Sequence, residues 1–531
     1  MKNRFLLSIL ASAMIFGSCS DDYVFEPDYE VRLPVDRTLS STIDASVTYQ
    51  TIDGFASSDA WTMDYIGKYW SSAAKEDMAR LLFSQEITNG QPDGIGLSMW
   101  RVNLGGGTAE QGADSGIEDK VRRAECFLSQ DGTYNWTKAS GQQFFMEKAK
   151  SYGCNQFVFF SNTPPVYYTY NGKGYSNRGA WSNLKSENYG KFADYLATVA
   201  EYFQQKGYNI SHISPVNEPQ YNWTGGQEGS GWQNSEIATL ARELDRSLTE
   251  KGLSNTKMLL SEVPSWDYLY ESKEAGRSNV IADFFSSGSS NYIGDLTHMP
   301  KLICGHSYWT DKNWQSSEDI RKAVYNRAQQ YGVDVYQTEW SMLDNGDGYD
   351  ECPNYDAASY IDMSLAMSRI IYQDLAVANV RSWSYWTTAA QEVYSQKNRF
   401  YLIRIIPQDG DYGDIEKGGT YNANKNLWVL GNYSRFIRPG YQRIAIDIPE
   451  QSNKFFGVAF ISPDKDKLVV VYTNISNERI EISSNFNGLG KEVVSFEQYT
   501  TSSAKDLRKE SLRDKNVVPA KSVSTFVYEL N

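Results

Sequence analysis

The sequence predicts an α/β protein: a (β/α)8 TIM barrel with an attached antiparallel β-sandwich domain. Between residues 51 and 386, eight runs rich in apolar, β-branched or aromatic residues alternate with helical patterns, which is typical of parallel βαβ units. After residue 430 the runs become short and often alternate between apolar and polar residues, as in antiparallel sheets. The 531 residues are enough for both domains.

The strand candidates and helix candidates follow one another along the chain. The predicted strands are residues 51–55, 95–104, 156–161, 210–216, 257–260, 301–306, 334–338 and 380–386. The predicted helices are residues 73–83, 142–151, 188–206, 235–251, 320–331 and 358–375. An open doubly wound sheet is the alternative, but the glycines at 93–96 and 105–107 lack the spacing of a phosphate-binding loop, so we interpret them as turns.

We predict five segments along the chain. They are a lipoprotein signal peptide at 1–18, a linker at 19–38, one or two strands of the β-sandwich at 39–50, the catalytic barrel at 51–430 and the sandwich at 431–531. Strands contributed by residues 39–50 would interleave the two domains through the N-terminus.

The N-terminus has the pattern of an exported lipoprotein. Lys2 and Arg4 precede an apolar run at 5–16, which is too short to span a bilayer. Cys19 follows a glycine and a serine, an order that resembles a bacterial lipobox and implies lipidation of Cys19. We therefore expect an outer-membrane lipoprotein at the cell surface, with a periplasmic location as the alternative; an unlipidated secreted enzyme is the other interpretation.

Composition excludes several classes of function. The net charge of -14 disfavours nucleic acid as a partner. Three histidines and no Cys-x-x-Cys pair leave little material for a zinc site, and we expect neither a metal nor an organic cofactor. No G-x-S-x-G motif points to a serine triad. Cys126, Cys154, Cys304 and Cys352 allow three disulfide pairings, among which the sequence does not choose.

Two glutamates come at predicted strand ends. Glu218 lies between an asparagine and a proline, which favours extended backbone at a point where a ladder must stop. Glu339 ends the strand predicted at 334–338. In a barrel these would be strands 4 and 7, whose carboxyl ends face one another across the mouth. Two such carboxylates are the minimum equipment for cleaving a glycosidic bond, and in a retaining enzyme they lie about 5 to 5.5 Å apart.

Several motifs together resemble glycoside hydrolase family 30. They are QTIDGF at 50–55, WRV at 100–102, PVNEP at 215–219, HSY at 306–308, TE at 338–339 and YSRFIRPG at 433–440. The resemblance runs from about residue 39 to the C-terminus. It implies a (β/α)8 barrel with a β-sandwich, a retaining mechanism and a β-linked polysaccharide or oligosaccharide as substrate.

The resemblance also implies roles for individual residues. Glu218 corresponds to the acid/base and Glu339 to the nucleophile, while Asn217 would bind the sugar 2-hydroxyl. Arg101 and Tyr308 would hold Glu339 ionised and oriented, because a neighbouring guanidinium lowers a carboxylate pKa. A structural ion pair for Arg101 and a packed ring for Tyr308 are the alternatives.

Four further residues are candidates for the first sugar site. His306 would line it, or would be a satisfied core histidine. Asp59, Trp61 and Trp386 would form its floor and wall, with burial in the barrel as the competing interpretation.

Within the family, the sequence at 56–61 and the tryptophans near strand 8 resemble endo-β-1,6-galactanases acting on arabinogalactan side chains. A glucuronoxylanase would need a cationic pocket near strand 8, where Arg399 and Arg404 lie. A β-1,6-glucanase or another β-glycosidase of the family is also open. The alternative of another class is a surface lipoprotein that binds glycan without cleaving it.

Overall fold

The computed structural model of the chain describes residues 33–343, 348–393, 396–449 and 451–531. The chain divides into Met1–Pro34, nearly all of which lies outside the described residues, and Val35–Asn531, to which the following statements refer. The predicted signal peptide and Cys19 lie outside the described residues.

Strands and helices alternate through the first three quarters of the chain. The strands here are β1 Arg37–Thr51, β2 Gly54–Ser57, β3 Ile87–Thr88, β4 Gln91–Pro92, β5 Met99–Asn103, β6 Gln156–Phe160, β7 Ile210–Ser214, β8 Lys257–Met258, β9 Leu302–His306, β10 Asp334–Glu339, β11 Ser382–Tyr385 and β12 Ala389–Gln391. The helices are α1 Thr62–Tyr69, α2 Ser72–Phe83, α3 Thr108–Gln111, α4 Ser140–Ser151, α5 Tyr189–Gln205, α6 Asn234–Glu250, α7 Asp267–Tyr270, α8 Val280–Phe285, α9 Trp314–Tyr331 and α10 Tyr360–Ala376.

The rest of the described chain is mainly β. Its strands are β13 Ile403–Pro407, β14 Gly419–Ala423, β15 Gln442–Asp447, β16 Phe455–Ile461, β17 Lys467–Asn474, β18 Ile480–Asn487, β19 Val493–Thr501, β20 Arg508–Lys509, β21 Val517–Val518 and β22 Ser522–Leu530. Helix α11 Lys425–Ser434 precedes most of them.

Eight parallel strands form a TIM-barrel-like arrangement. They make two four-stranded sheets, β2-β11-β10-β9 and β5-β6-β7-β8. A parallel bridge between Ser58 and Arg101 joins one pair of sheet edges, and a bridge between Val263 and Gly305 joins the other. Each of the eight strands overlaps one of the eight predicted runs. The α/β class and the alternation predicted from the sequence are therefore confirmed.

The period of two along each strand decides which side chains face inward. One face contributes a small apolar cluster, made of Ala56, Met99, Val158, Leu259, Leu302, Cys304 and Tyr336. On β5, Trp100 and Val102 instead belong to the large core under the helices. Arg101 and Asn103 share the face of Met99 and lie nearer the carboxyl end of the strand. The inner face thus changes from apolar to charged towards that end.

The C-terminal strands and β1 form one nine-stranded sheet in the order β20-β19-β22-β17-β16-β15-β1-β18-β21. The prediction of purely antiparallel pairing is wrong in one respect, because β1 pairs parallel with β18 while pairing antiparallel with β15. Strand β1 comes from the far N-terminus, so no hairpin restricts its direction. The predicted segment boundaries stay predictions; β1 begins at Arg37, inside the predicted linker.

Both faces of the central strand β16 are buried. Phe455 and Ala459 pack into the sheet's own core, whereas Phe456 and Val458 pack into the large core of the barrel-like part. The ring of Phe456 lies 4.7 Å from that of Tyr372 on α10. The sheet is therefore attached to the barrel-like part through a shared hydrophobic core.

The YSRFIRPG motif lies at the end of α11 and joins the two parts. The guanidinium of Arg435 donates to the carbonyls of residues 84, 85, 86 and 94, at 2.6 to 3.1 Å. Ser434 donates to the Ile95 carbonyl at 2.6 Å. These bonds satisfy loop carbonyls that precede β5. The motif is thus a structural connection, remote in sequence from the carboxylates.

All six predicted helices are present, but α1, α11 and the short helices α3, α7 and α8 were missed. Helix α9 begins at Trp314, earlier than predicted, because Asn313 caps it by accepting from the Ser316 N–H. Eight of the ten residues of α11 are buried. A short run of this kind has no polar face, so periodicity does not separate it from a buried strand.

The four cysteines Cys126, Cys154, Cys304 and Cys352 are all buried. Within the described residues, Cys126, Cys154 and Cys304 are buried free thiols, so none of the three possible pairings forms among the four. Cys352 is also buried. Separately, no helix in the described part of the chain is both long and apolar enough to cross a membrane.

Candidate active site

Glu218 lies just past the carboxyl end of β7 on an unusual backbone. Its φ is 42°, a left-handed conformation that is uncommon outside glycine. Its N–H donates to the Glu262 carbonyl at 2.9 Å, which ties the ends of two neighbouring strands together. The side chain is 11% exposed, so the carboxylate is largely but not completely removed from solvent. Such strain in a tightly bonded segment is a frequent mark of a functional position.

Glu339 ends β10, and a strand irregularity directs it inward. Gln337 pairs with Gly305, yet Glu339 pairs with the next residue, His306, so two residues of β10 oppose one of β9. A bulge of this kind changes which face a side chain takes. It places Glu339 on the inner face beside Arg101, whose Nη1 lies 2.5 Å from Glu339 Oε1.

The other oxygen of Glu339 accepts a hydrogen bond from Tyr308 Oη at 3.1 Å. Arg101 extends further, since its Nη2 donates to Asn217 Oδ1 at 3.2 Å. The sequence placed all four residues at the site, and the structure brings them into direct contact. The Tyr308 hydroxyl is engaged by Glu339, so its ring is not merely packed, whereas the buried Arg101–Glu339 pair is compatible both with a role in orienting Glu339 and with a structural ion pair.

His306 lies between the two glutamates. Its Nδ1 is 3.0 Å from Glu218 Oε1 and 3.4 Å from Glu339 Oε2. One ligand-type atom from each of the three residues lies within 4.8 Å of the others, so a Glu218 oxygen and a Glu339 oxygen are at most that far apart. Burial acts to lower the pKa of His306, but the neighbouring carboxylates raise it to about 9. A ring with that pKa carries a proton on both nitrogens at neutral pH, so it can donate to Glu218 through Nδ1 and to Glu262 through Nε2.

Sequence reasoning missed a third carboxylate, Glu262. It follows β8, is fully buried and has φ of 53°. Its oxygens lie 3.2 Å from His306 Nε2 and 3.3 Å from Arg101 Nη2, and it also accepts from Ser214 at 2.8 Å and from Thr338. The available signal was a glutamate two residues before Pro264 at a predicted strand end, much like Glu218.

Burial and the neighbouring charges shift the pKa values of the clustered carboxylates in opposite directions. Burial acts to raise the pKa of Glu262, but Arg101 and His306 outweigh it and lower that pKa to about 2. For Glu339, burial dominates and raises the pKa, although His306 and Arg101 oppose the rise. Arg101 thus acts on the pKa of Glu339 in the expected downward direction, but burial outweighs it and the net direction is upward. Three carboxylates facing two cations become neutral when one proton is added, and a buried cluster favours neutrality.

Comparison with known proteins agrees with this geometry. Residues 38–399 match the model of O-glycosyl hydrolase family 30. The chain belongs to glycoside hydrolase family 30. It is a glycoside hydrolase, and its buried pair of glutamates lies where the barrel-like strands end.

Relatives and solved structures are similar over most of the chain. An endo-β-1,6-galactanase of Hypocrea rufa is 27% identical over 84% of this chain and 83% of its own length. A glucuronoxylanase of Bacillus subtilis (strain 168) is 23% identical over 74% of this chain and 78% of its own. A conserved exported protein from Bacteroides fragilis has a structure with a TM-score of 0.84 and 31% identity, covering 92% of this chain and 100% of that one.

The predicted sugar-site residues of the family 30 chain fall into two groups. Trp61 and Trp386 are partly buried and meet edge to face, with ring centroids 5.4 Å apart. Phe160 connects them to the site, because its ring lies 6.3 Å from Trp386 and 3.6 Å under the Arg101 guanidinium. The two rings and Phe160 thus form one aromatic cluster that borders the Arg101 side of the site.

Asp59 lies apart from them and is fully buried. One of its oxygens accepts from the Asn103 N–H at 2.9 Å and the other from the Gln142 side chain at 2.8 Å. Burial raises its pKa to about 7. These contacts favour the structural interpretation, in which Asp59 braces β5.

Proposed function

We propose that the chain is a retaining endo-β-1,6-galactanase in which Glu218 is the acid/base and Glu339 the nucleophile. The observation that carries the retaining mechanism is the separation of at most 4.8 Å between a Glu218 and a Glu339 oxygen. Inverting enzymes leave room for a water, with carboxylates about 6.5 to 9.5 Å apart. A closed (β/α)8 barrel is part of the proposal and is supported by the two bridges between its sheets.

In the first step, a Glu339 oxygen attacks the anomeric carbon and the glycosidic C–O bond breaks. The proton on Glu218 passes to the departing oxygen, so the leaving sugar is released as an alcohol. Arg101 and Tyr308 hold the attacking carboxylate through separate oxygens, which fixes its orientation. With Oδ1 bound to Arg101, Asn217 presents its amide N–H groups to the 2-hydroxyl of the sugar.

In the second step, Glu218 has become a carboxylate and takes a proton from water. The water oxygen bonds to the anomeric carbon as the ester to Glu339 breaks, and the configuration is retained. Esterification removes the charge of Glu339, so His306 then faces fewer carboxylates and its hydrogen bond to Glu218 stabilises the newly formed anion. His306 is thus a positioning residue that balances charge through both steps.

The choice of galactan over glucuronoxylan is supported by the two arginines near strand 8. Arg404 Nη2 lies 2.8 Å from both oxygens of Asp411. Arg399 donates to the carbonyls of Met342 and Leu343 and stacks 4.6 Å over Phe400. Arg404 is paired with a carboxylate and Arg399 is engaged by backbone carbonyls, and these contacts weigh against a cationic pocket of the kind that a uronic acid needs. Likeness to the Hypocrea rufa galactanase supports the same choice.

The test incubates wild type, Glu218→Gln and Glu339→Gln with β-1,6-galactan, glucuronoxylan and β-1,6-glucan. Reducing ends and the anomeric configuration of the first product are followed. Glu351→Gln is the control, since Glu351 is also buried but pairs with Arg369, at 2.6 Å, rather than with His306 or Arg101. We expect cleavage of galactan with retention, lost in Glu339→Gln and kept in the control.

The outcomes separate the alternatives. An inverted product would refute the roles of both glutamates. Cleavage of glucuronoxylan or β-1,6-glucan instead of galactan would refute the proposed substrate but not the proposed roles of the two glutamates. Binding without cleavage of any of the three glycans would favour the glycan-binding lipoprotein. Glu218→Gln should lose most activity on substrates with poor leaving groups and less on aryl glycosides; equal losses would refute its role as acid.

We also propose that the chain is exported and anchored to the outer membrane through a lipid on Cys19. The support is the order of residues at 1–22, which lie outside the described residues. Metabolic labelling with palmitate should mark the wild type but not Cys19→Ala. Added protease should remove the protein from intact cells if it faces outward, and should spare it if it is periplasmic.

A further inference from the structure

A cavity lined partly by aromatic side chains is formed by segments that directly follow Glu218, Glu262 and Tyr308, and it has no role in the chemistry derived above. Its volume is about 370 Å³, and it is lined by Gln220, Tyr221, Pro264, Ser265, Asp267, Tyr268, Lys273 and Trp309. Tyr221 is 54% exposed and Trp309 is 52% exposed, unusual values for rings of this size next to a buried site. Pockets for small organic ligands begin at about this volume.

We infer that this cavity, the Tyr221–Trp309 pocket, binds the first sugar on the leaving-group side of the cleaved bond. The inference rests on the proposed function, in which Glu218 protonates the leaving oxygen. A general acid must lie on the side of the departing sugar. Tyr221 is three residues from Glu218, and its N–H donates to the Glu218 carbonyl at 3.0 Å.

The pocket is fixed to the acid by further contacts. Trp223 also donates from its indole N–H to the Glu218 carbonyl, at 3.3 Å, and its ring lies 4.6 Å from that of Tyr221. Trp309 directly follows Tyr308, which binds Glu339. The backbone φ of Trp309 is 57°, a strained value for a bulky residue, and it holds the half-exposed ring at the cavity.

Topology gives the direction of the sugar chain. The pocket is built from segments that follow β7, β8 and β9, whereas Trp61 and Trp386 follow β2 and β11. In the ring order of the eight strands these two groups lie on opposite sides. A glycan lying across the mouth would stack on the tryptophan pair at one end, pass the two glutamates, and reach the pocket at the other.

The charges in the pocket favour a neutral sugar. Lys273 Nζ lies 2.5 Å from Asp267, and Asp267 also accepts from Ser265. This pair leaves no net charge to attract a uronic acid. The pocket combines aromatic rings with polar side chains, and this combination suits an uncharged pyranose ring. The C–H groups of such a sugar pack on aromatic faces, and its hydroxyls form hydrogen bonds with the polar groups.

The test compares two substrates that differ only beyond the cleaved bond. β-1,6-Galactotetraose carries sugars on the leaving side, whereas β-1,6-galactobiosyl fluoride has a leaving group too small to reach the pocket. We expect Tyr221→Ala and Trp309→Ala to lower kcat/KM for the tetraose about tenfold, the size of one lost aromatic contact. The fluoride should be hydrolysed at the wild-type rate, and Trp309→Phe should recover most of the loss.

Tyr69→Ala is the matched control. Tyr69 is 50% exposed, but it ends helix α1, which runs away from the mouth. The Tyr69→Ala variant should hydrolyse both the tetraose and the fluoride at the wild-type rate. Equal losses on the tetraose and the fluoride, or no loss on either, would refute the pocket while leaving the proposed function intact. A wild type that cleaves neither substrate would refute the proposed function and the pocket's ligand with it.

Discussion

Replacing Glu262 by glutamine tests whether buried carboxylates keep His306 charged. The ring lies 3.0 Å from Glu218, 3.2 Å from Glu262 and 3.4 Å from Glu339. Against burial, which acts to lower it, these neighbours raise the pKa of His306 from 6.5 to about 9. The carboxylates supply the whole rise and also offset burial, so if their shares are equal, removing one lowers the titration midpoint by at least about 0.8 pH unit, or about 1.1 kcal/mol.

That share is smaller than the attraction between two isolated charges. At 3.2 Å and an effective dielectric constant of about 20, a bare pair would gain about 5 kcal/mol. The difference is expected because Glu262 also pairs with Arg101 and because burial of the ring opposes its charge. Glutamine keeps the shape of Glu262 and one acceptor oxygen, but its NH2 group must face donors such as Arg101 or His306, so the substitution removes the charge together with hydrogen bonds.

The measurement is direct, since the chain has only three histidines. Imidazole nitrogen shifts are followed by NMR from pH 5 to pH 10, with the signals assigned from His212→Gln and His298→Gln. In Glu262→Gln, the midpoint of the alkaline limb of the kcat/KM pH profile should move to lower pH by the same amount as the His306 midpoint. Glu351→Gln removes another buried glutamate, which binds Arg369, and should leave the titration midpoint of His306 unchanged. A midpoint that stays in place in Glu262→Gln, or a wild-type His306 that titrates near its ordinary value, would refute the reasoning.

Three further predictions concern positioning and stability. Arg101→Lys should lower kcat about 10²-fold with little change in KM, because lysine does not reach Glu339 and Asn217 together; steady-state kinetics with a loss below about threefold would contradict this. Because the pKa of Glu262 is lowered from 4.5 to about 2 on folding, its contribution to stability is complete above pH 4.5 and is lost as the pH falls towards 2. The difference in unfolding free energy between wild type and Glu262→Gln should therefore shrink by about 3 kcal/mol from pH 5 to pH 2 in urea titrations, and a constant difference would be inconsistent with it. Phe456→Ala should lower the free energy of unfolding by about 3 to 5 kcal/mol, since Phe456 fills the core that joins the sheet to α10; a loss below about 1 kcal/mol would show that this contact matters little.

Much of the fold could be predicted because its signals are local. Alternation of strand-like and helical runs follows from side-chain periodicity within a few residues, and it located all eight parallel strands. Asn217 and Glu218 were found because a proline directly follows them. Helix α11 was missed for the converse reason, since burial on all sides removes the polar face on which the pattern depends.

The site residues could be predicted only where a local sequence signal marks a single residue. Glu262 has a strand end and a nearby proline, but its importance comes from contacts with His306 and Arg101. The raised pKa of Glu339 reflects removal from water, a property that depends on every neighbour.

The sequence by itself determined the family, the α/β class and the two glutamates, since each depends on residue order along a short stretch. Only the tertiary structure decided the parallel pairing of β1 with β18, the free thiols and the third carboxylate. Arg101 meets Glu339 across 238 residues of chain. Contacts at such separation arise when packed elements exclude water, and it is this exclusion that makes the charges of the cluster act on one another.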